Sequence, residues 1–369
     1  MQWDDPKTNE RSPTLIRVLL RHHSVIGPKR IPYSADKTRF GTYVRYALFP
    51  FVAFYYALKN MTDYDVVFCE NAYHSLGVVP FVLFGRKRSV LDSHGESLHY
   101  VQTMGESKLQ RVTTPLIEGI VGRAATRIIA VSEAERRLFI KRGFSAQKVI
   151  VIPTAADFSV CDRVGIQKDG ARAKLGIKAG KRIVLFIGKR AYPPNMESAL
   201  WIVENLAPAV ADRFRDVEIL MSGGGPVPAS IPDNVKFTGF VSDIYDLISV
   251  SDVCISPTWR GVGIMTKVID TMACGRPTVA SRFCVEGIPE LADGENVMIA
   301  EDGAEFIKKT LYLLENPDKA EELGRRARQM IEEHYNWDKW QWKLNEVLEV
   351  CHKGNRCQQL EKQHRNSAH

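Results

Sequence analysis

The 369-residue sequence has no stretch of 18 uncharged apolar residues, and its first thirteen residues, MQWDDPKTNERSP, are polar. A spanning helix needs about 20 apolar residues and a secretory leader needs an apolar core behind a basic start, so neither is expected. The seven cysteines (Cys69, Cys161, Cys254, Cys274, Cys284, Cys351 and Cys357) are odd in number, scattered and never spaced C-x-x-C. That argues against a disulfide framework and a structural zinc, and for the reducing setting of the cytoplasm. No G-x-G-x-x-G follows a strand pattern with an acid about 20 residues later, which disfavours a dehydrogenase. Nucleic-acid motifs and base-stacking aromatic patterns are absent as well, so no nucleic-acid partner is expected.

What is present is ordinary for a globular chain: 45% apolar, 25% charged, and long enough for two domains. The positive charge is uneven. Residues 1–160 hold 22 Lys and Arg against 14 Asp and Glu, whereas the remainder holds 28 against 29. An anionic membrane surface or a phosphorylated acceptor would suit the basic half, and simple solvation of those cations is the plainer reading. The same half contains RFGTYVRYALFPFVAFYYALK (39–59), strongly aromatic and interrupted by Pro50. It is too short to span a bilayer but suited to lie in its interface; a core helix is the alternative.

Apolar runs ending in glycine turns alternate with helical periods along the chain: 64–71, 89–97, 125–143, 149–159, 182–195, 217–226, 234–257 and 286–299. This predicts an α/β protein of two doubly wound domains facing a central cleft. The expected boundaries are 1–160, 161–333, a helix at 334–350 crossing back to the first domain, and a disordered polar tail at 351–369. Residues 14–26, TLIRVLLRHHSVI, read as a short strand or a helix end. Asp63-Tyr64-Asp65 spells D-x-D, a metal pattern, but an acidic start before a central strand is commonplace, and no metal site is expected there.

The densest chemistry lies in PTWRGVGIMTKVIDTMACGRPTVA (257–280). It reads as a strand end, a glycine turn, a helix from about Ile264 to Ala273, a Gly-Arg-Pro stop and a buried strand. Gly263, Lys267 and Asp270 share one stripe, with Ile264, Val268, Met272 and Ala273 buried. Free amides and the positive dipole end at Gly263–Ile264 suit phosphate, Lys267 adds a charge, and Asp270 suits ribose hydroxyls. The plainer alternative is a solvated Lys267/Asp270 pair on a crossover helix.

This stretch resembles the signature of the group 1 (family 4) glycosyltransferases of the GT-B fold, through Pro257, Arg260, Gly261, Gly263, Lys267, Met272, Ala273, Gly275, Pro277 and Val279. Asp270 stands where the family has a ribose-binding glutamate, and Val262 stands near its upstream acid. The resemblance extends to Gly188-Lys189-Arg190, placing Gly188 and Arg190 at the donor and Lys189 among the catalytic groups. It extends also to Pro194-Asn195, and to Gly239-Phe240-Val241, which border the base in relatives. In the first half, His94 after its strand is read as catalytic or as a capping histidine. Glu96, on the following loop, and Ser132, in the V-S-E turn, are assigned to the acceptor. Ser132 is also expected to form a capping box with Glu135. No glycine-rich loop precedes Thr14, which departs from the family.

The resemblance implies a retaining, metal-independent glycosyltransferase of the hexosyltransferase type. Its co-substrate would be a nucleoside-diphosphate sugar, with no resident cofactor, and its acceptor a glycan or lipid-linked hydroxyl. The expected location is cytoplasmic, with peripheral contact to the inner face of the membrane. A catalytically inactive nucleotide-sugar binder or scaffold of the same fold, and an epimerase, stay open on the sequence.

Overall fold

The computed structural model describes residues 15, 19–25, 39–70, 72–84, 87–93, 108–162, 168–241, 243–261 and 265–366. His94, Glu96, Gly263 and Ile264 lie outside the described residues, as does most of the chain before residue 39. The chain divides into two compact units at 153/154 and 339/340, slightly earlier than the first boundary expected from the sequence.

The first unit is built on a parallel sheet of β1 (Val66–Cys69), β2 (Arg88–Asp92), β3 (Arg127–Ala130) and β4 (Val149–Val151), in that order. Leu91, Ile128, Ile129 and Ala130 are almost wholly buried, as strands covered by helices require. Against this sheet and each other pack α1 (Arg39–Lys59), a turn at Ala72–Ser75 running through a 3-10 turn at Leu76–Val78 into α2 (Val79–Leu83), and α3 (Lys108–Ala124). The α1 helix continues through Pro50. Here tertiary packing overrides a residue that lacks an amide donor. Gly77 lies so close that a Cβ on it would sit 1.8 Å from the Pro50 carbonyl oxygen. Phe54 and Phe81 bring their rings to 5.0 Å across the same contact. Further on, Ser132 caps α4 (Glu133–Lys141), accepting from the Glu135 amide at 3.1 Å.

The second unit carries six parallel strands: β5 (Arg182–Ile187), β6 (Val217–Ser222), β7 (Val235–Gly239), β8 (Val253–Ser256), β9 (Thr278–Ser281) and β10 (Met298–Ala300). Their order is β10-β9-β8-β5-β6-β7, so the chain winds one way from β5 and the other way from β8. Every residue of β6, β8 and β9 is buried. Glu218, the one carboxylate among them, is met by Lys236 of β7 at 2.7 Å. Its helices include α5 (Phe158–Cys161), α6 (Pro193–Trp201), α7 (Ile244–Val250) and α8 (Thr266–Ala273). Three longer helices follow, α9 (Gly303–Glu315), α10 (Pro317–His334) and α11 (Trp337–Asn366), of which α11 belongs to the first unit from residue 340 on.

Two expectations change. The helix α8 begins at Thr266, two residues later than its periodicity suggested, with Met265 as an extended N-cap. The tail expected to be disordered is helical to Asn366, because α11 continues past residue 350. Beyond Cys351 its Lys, Gln and Glu residues are good helix formers. At the amino end, Leu15 and residues 19–20 are helical, which decides for a helix end over a strand there.

Candidate functional site

The carboxyl edge of the second sheet gathers four turns, and where β5 and β8 lie side by side the winding direction reverses. In open α/β sheets that edge and that reversal are where ligands bind. Gly188-Lys189-Arg190 follows β5, Gly223-Gly224-Gly225 follows β6, Phe240-Val241 follows β7, and Pro257-Thr258 follows β8.

Glycine is required at this edge because backbones touch. A Cβ on Gly223 would lie 2.3 Å from the Gly188 carbonyl oxygen, and one on Gly225 would lie 2.7 Å from the Ala191 amide. Both glycines also hold positive φ, 117° and 132°. A side chain on Gly188 would meet Asn195 and the Phe186 ring at 2.9 Å, whereas Gly224 faces open space. The triple glycine, ambiguous in sequence, therefore serves the close passage of two turns.

Lys267 stands in the first turn of α8, half-buried above the Phe186 ring at 4.7 Å. Its ammonium donates to Asn195 Oδ1 at 3.2 Å and to Thr258 Oγ1 at 3.0 Å. Asn195 in turn donates to the Lys189 carbonyl at 3.2 Å, so one chain of bonds crosses from β5's turn to β8's. Ser198 of α6 lies 2.8 Å from the Pro257 carbonyl and 3.1 Å from Thr258 Oγ1, which fixes that turn from below. Arg260 pairs with Glu197 of the same helix.

Burial pulls the Lys267 pKa down to about 8, against a small upward pull from Cys284. Among the described residues no carboxylate pairs with it. A cation in the first turn also opposes the helix dipole. Under the helix only about 10 Å³ of space remains, between Lys267, Thr271 and the β5 and β8 side chains. A part-buried ammonium with no carboxylate partner among the described residues, at the edge of the sheet, has the character that suits an anion. The solvated-pair alternative fails because Asp270 is 8% exposed.

Asp270 faces α7, and its charge helps hold the Tyr245 phenol protonated, although burial does more. Tyr245 is itself buried, and among the described residues its hydroxyl has no hydrogen-bond partner. Cys161 of α5 and Cys274, at the end of α8, are buried free thiols at the same corner, and burial above all pushes the Cys274 thiol pKa up.

Arg190 requires a correction. Its side chain does not present its charge at the edge but turns inward, 3% exposed, over the Phe237 ring at 4.7 Å. Nε donates to the Pro226 carbonyl at 2.7 Å and a terminal nitrogen to that of Gly225 at 3.4 Å. Here Arg190 pins the glycine turn, and burial lowers its pKa. Lys189, beside it, is exposed at the edge. Gly239 has a φ of 69°, Phe240 is 76% exposed and Val241 is half-buried, an open lip after β7.

In the first unit Ser132 forms its half of the expected capping box as the α4 cap, while the Glu135 carboxylate is bonded elsewhere. Glu135, 5% exposed, accepts from the Val131 amide at 2.7 Å and from the Ser93 hydroxyl at 2.6 Å. This buried carboxylate ties the ends of β2 and β3 together. Sequence reasoning took Glu135 for a capping group only; Ser93, the other partner, lies 42 residues away in the chain. Asp63 and Asp65 are exposed in the turn before β1, and no group of three His, Cys, Asp or Glu residues suited to a metal ion occurs among the described residues.

Comparison with known proteins gives two family matches: glycosyl transferases group 1 over residues 181–316 and glycosyltransferase family 4 over residues 8–160. An uncharacterized glycosyltransferase of Methanocaldococcus jannaschii is 23% identical over 299 residues, covering 75% of this chain and 73% of its own. The chitobiosyldiphosphodolichol beta-mannosyltransferase of Debaryomyces hansenii is 25% identical, with 81% and 72% covered. Among solved structures, sucrose-phosphate synthase from Thermosynechococcus elongatus superposes with a TM-score of 0.66 at 19% identity, covering 89% and 82%. The Anabaena protein HepE in complex with UDP-glucose gives 0.63 at 18% identity, covering 91% and 89%. The two matches together span most of the chain, and the solved neighbours share its fold: the chain belongs to the group 1, family 4 glycosyltransferases of GT-B fold.

Proposed function

We propose that this transferase moves a hexosyl group from a nucleoside-diphosphate sugar to a hydroxyl acceptor with retention of configuration and without a metal ion. The observation that carries the reading is Lys267, an ammonium held by Asn195 and Thr258 without a carboxylate partner at the switch point of the sheet. When the bond from sugar C1 to the diphosphate oxygen breaks, negative charge grows on the leaving group. Fixed cations stabilise that charge at the moment it develops. Lys267 and the exposed Lys189 are the groups for this, with Gly188 allowing close approach of the backbone. The acceptor oxygen bonds C1 on the face that the leaving group vacates, and its proton passes to the departing phosphate oxygen. Asp270 takes the ribose hydroxyls, and Gly239, Phe240 and Val241 border the base. Gly263 and Ile264 supply amides to the diphosphate, His94 meets the sugar, and Glu96 and Ser132 lie on the acceptor side.

A UDP-sugar is the first donor to test, because HepE has been seen with UDP and with UDP-glucose. The diphosphodolichol in the name of the D. hansenii relative supports a lipid-linked acceptor. Incubation with radiolabelled UDP-glucose, alone and with glycan or polyprenyl-phosphate acceptors, should release UDP and label the acceptor. A donor that binds and is never turned over would mean a binding protein instead. Turnover should persist in EDTA, since lysines and amides neutralise the leaving group. Loss on chelation with recovery in Mn²⁺ would bring Asp63 and Asp65 back into the chemistry.

Asp270→Asn is expected to weaken nucleoside-diphosphate binding about tenfold, the scale of one charge-assisted hydrogen bond. Asp270→Glu should retain binding by restoring the family's residue. Calorimetric titration of UDP decides this, and an Asp270→Asn variant that binds like the parent would remove ribose from its role.

A further inference from the structure

The first sheet gathers positive charge at the end opposite its carboxyl edge. Arg88 opens β2, Arg127 opens β3, and Lys148 stands directly before β4. In register, Arg127 lies beside Val90 of β2, and Ile128 lies beside Val149 of β4. Side chains alternate along a strand, so Arg88, Arg127 and Lys148 leave the same face of the sheet. Residues of α11 meet that face. Arg127 and Ile150 share a cleft of about 300 Å³ with Lys343, Val347 and Val350. The cleft lies within the first unit, to which α11 belongs from residue 340 on.

These cations are poorly compensated. Arg88, Arg127, Lys148 and Lys343 are all half-buried. Arg127 donates to the Thr126 carbonyl at 3.0 Å, Lys148 donates to the Arg123 carbonyl at 2.7 Å, and the Lys343 ammonium sits 5.1 Å from the Trp340 ring. Among the described residues none of the four pairs with a carboxylate. Glu346, an acid in the cleft lining, is exposed and likewise forms no ion pair among them. Burial above all, and then the charges of Arg127 and Arg123, pull the Lys148 pKa down. Burial pushes up the thiol pKa of Cys351 on α11, and Arg127 and Arg88 oppose it, so both guanidinium charges reach this part of the helix. Like charges held together at partial burial carry a cost that a bound anion relieves.

We propose that this cleft binds a small organic phosphate, a dianionic monoester whose phosphate meets the cations and whose organic part lies along Ile150, Val347 and Val350. Guanidinium forks match phosphate oxygens in pairs, and an apolar wall beside a few convergent polar groups is the usual make-up of a small-molecule site. Substrates of open α/β sheets bind at the carboxyl ends of the strands. A ligand at the amino ends is therefore separate from the transferred sugar. The proposal goes beyond the transfer reading and stands without it.

Calorimetric titration of the full chain with phenyl phosphate, inorganic phosphate and phenol tests it. Phenyl phosphate is expected to bind at least about fivefold more tightly than inorganic phosphate, because its ring is buried as well. Phenol, which lacks the charge, should give no measurable binding. Arg127→Gln/Lys343→Gln should weaken phenyl phosphate about tenfold or more, the scale of a lost charge-assisted hydrogen bond, while UDP binding matches the parent. Glu346→Gln should tighten it about two- to fivefold by removing the opposing charge, a gain that misfolding cannot imitate. Lys267→Met should retain phenyl phosphate binding, which keeps failure of this site distinct from failure of the donor site. No saturable binding, equal affinity for phenyl phosphate and inorganic phosphate, loss of binding in Lys267→Met, or undiminished binding in the double glutamine variant overturns the proposal.

Discussion

Replacing Lys267 by alanine or methionine is expected to lower kcat/KM about a hundredfold or more, the scale of one preorganised group removed from developing charge. The methionine variant should keep the fold and, without donor, melt at or above the parent, since it removes an ammonium that burial and the helix dipole both disfavour. The pH dependence has a definite sign. With the Lys267 pKa near 8 in the folded protein against about 10.5 unfolded, the unfolded chain binds the additional proton between those values. Stability from this group therefore rises as pH climbs from about 8 to 10.5. The advantage of the methionine variant should shrink over the same range, as differential melting at several pH values would show. Activity moves the other way: kcat/KM of the parent should fall above about pH 8 as the ammonium is lost, and Lys267→Arg should lack that limb. A methionine variant that turns over like the parent would leave Lys267 a packing residue.

Gly223→Ala should cost about 2–5 kcal/mol, combining strain at a positive φ with overpacking against the Gly188 backbone. That corresponds to a fall in melting temperature of roughly 5–15 °C. Because the turn it displaces carries Gly188 and Lys189, transfer should fall beyond what the melting temperature explains. Gly224→Ala is the control: it faces open space at an ordinary φ and should change neither stability nor turnover appreciably. Thermal unfolding and steady-state rates of the two variants settle whether the edge turns depend on backbone contact. Equal melting temperatures would mean the turns separate at no cost.

The local pattern of residues was enough to determine the alternation of strands and helices, the strand runs RIVLFI, VEILMS and VCIS, the cap at Ser132 and the position of Lys267 on its helix. These follow from periods of two and 3.6 residues and from glycine stops, which act over a few neighbours. The family likeness, with which the two family matches agree, added the roles proposed for Gly188, Lys189 and Asp270. What tertiary structure alone decided was direction and company. Arg190 and Lys189 are adjacent in sequence, yet one turns under the glycine turn and the other stays at the edge, because Gly225 and Pro226 lie 35 and 36 residues further on. Lys267 gains its environment from Asn195, 72 residues away, and Glu135 from Ser93, 42 residues away. Pro50 reads as a break and is a helix interior, because Gly77 packs against its carbonyl. The aromatic run 46–58 read equally as core or interface, since periodicity shows that a helix has two faces but not which of them another segment covers. Packing against Gly77 and Phe81 covers one face, and leaves Phe51 and Tyr55 on the other.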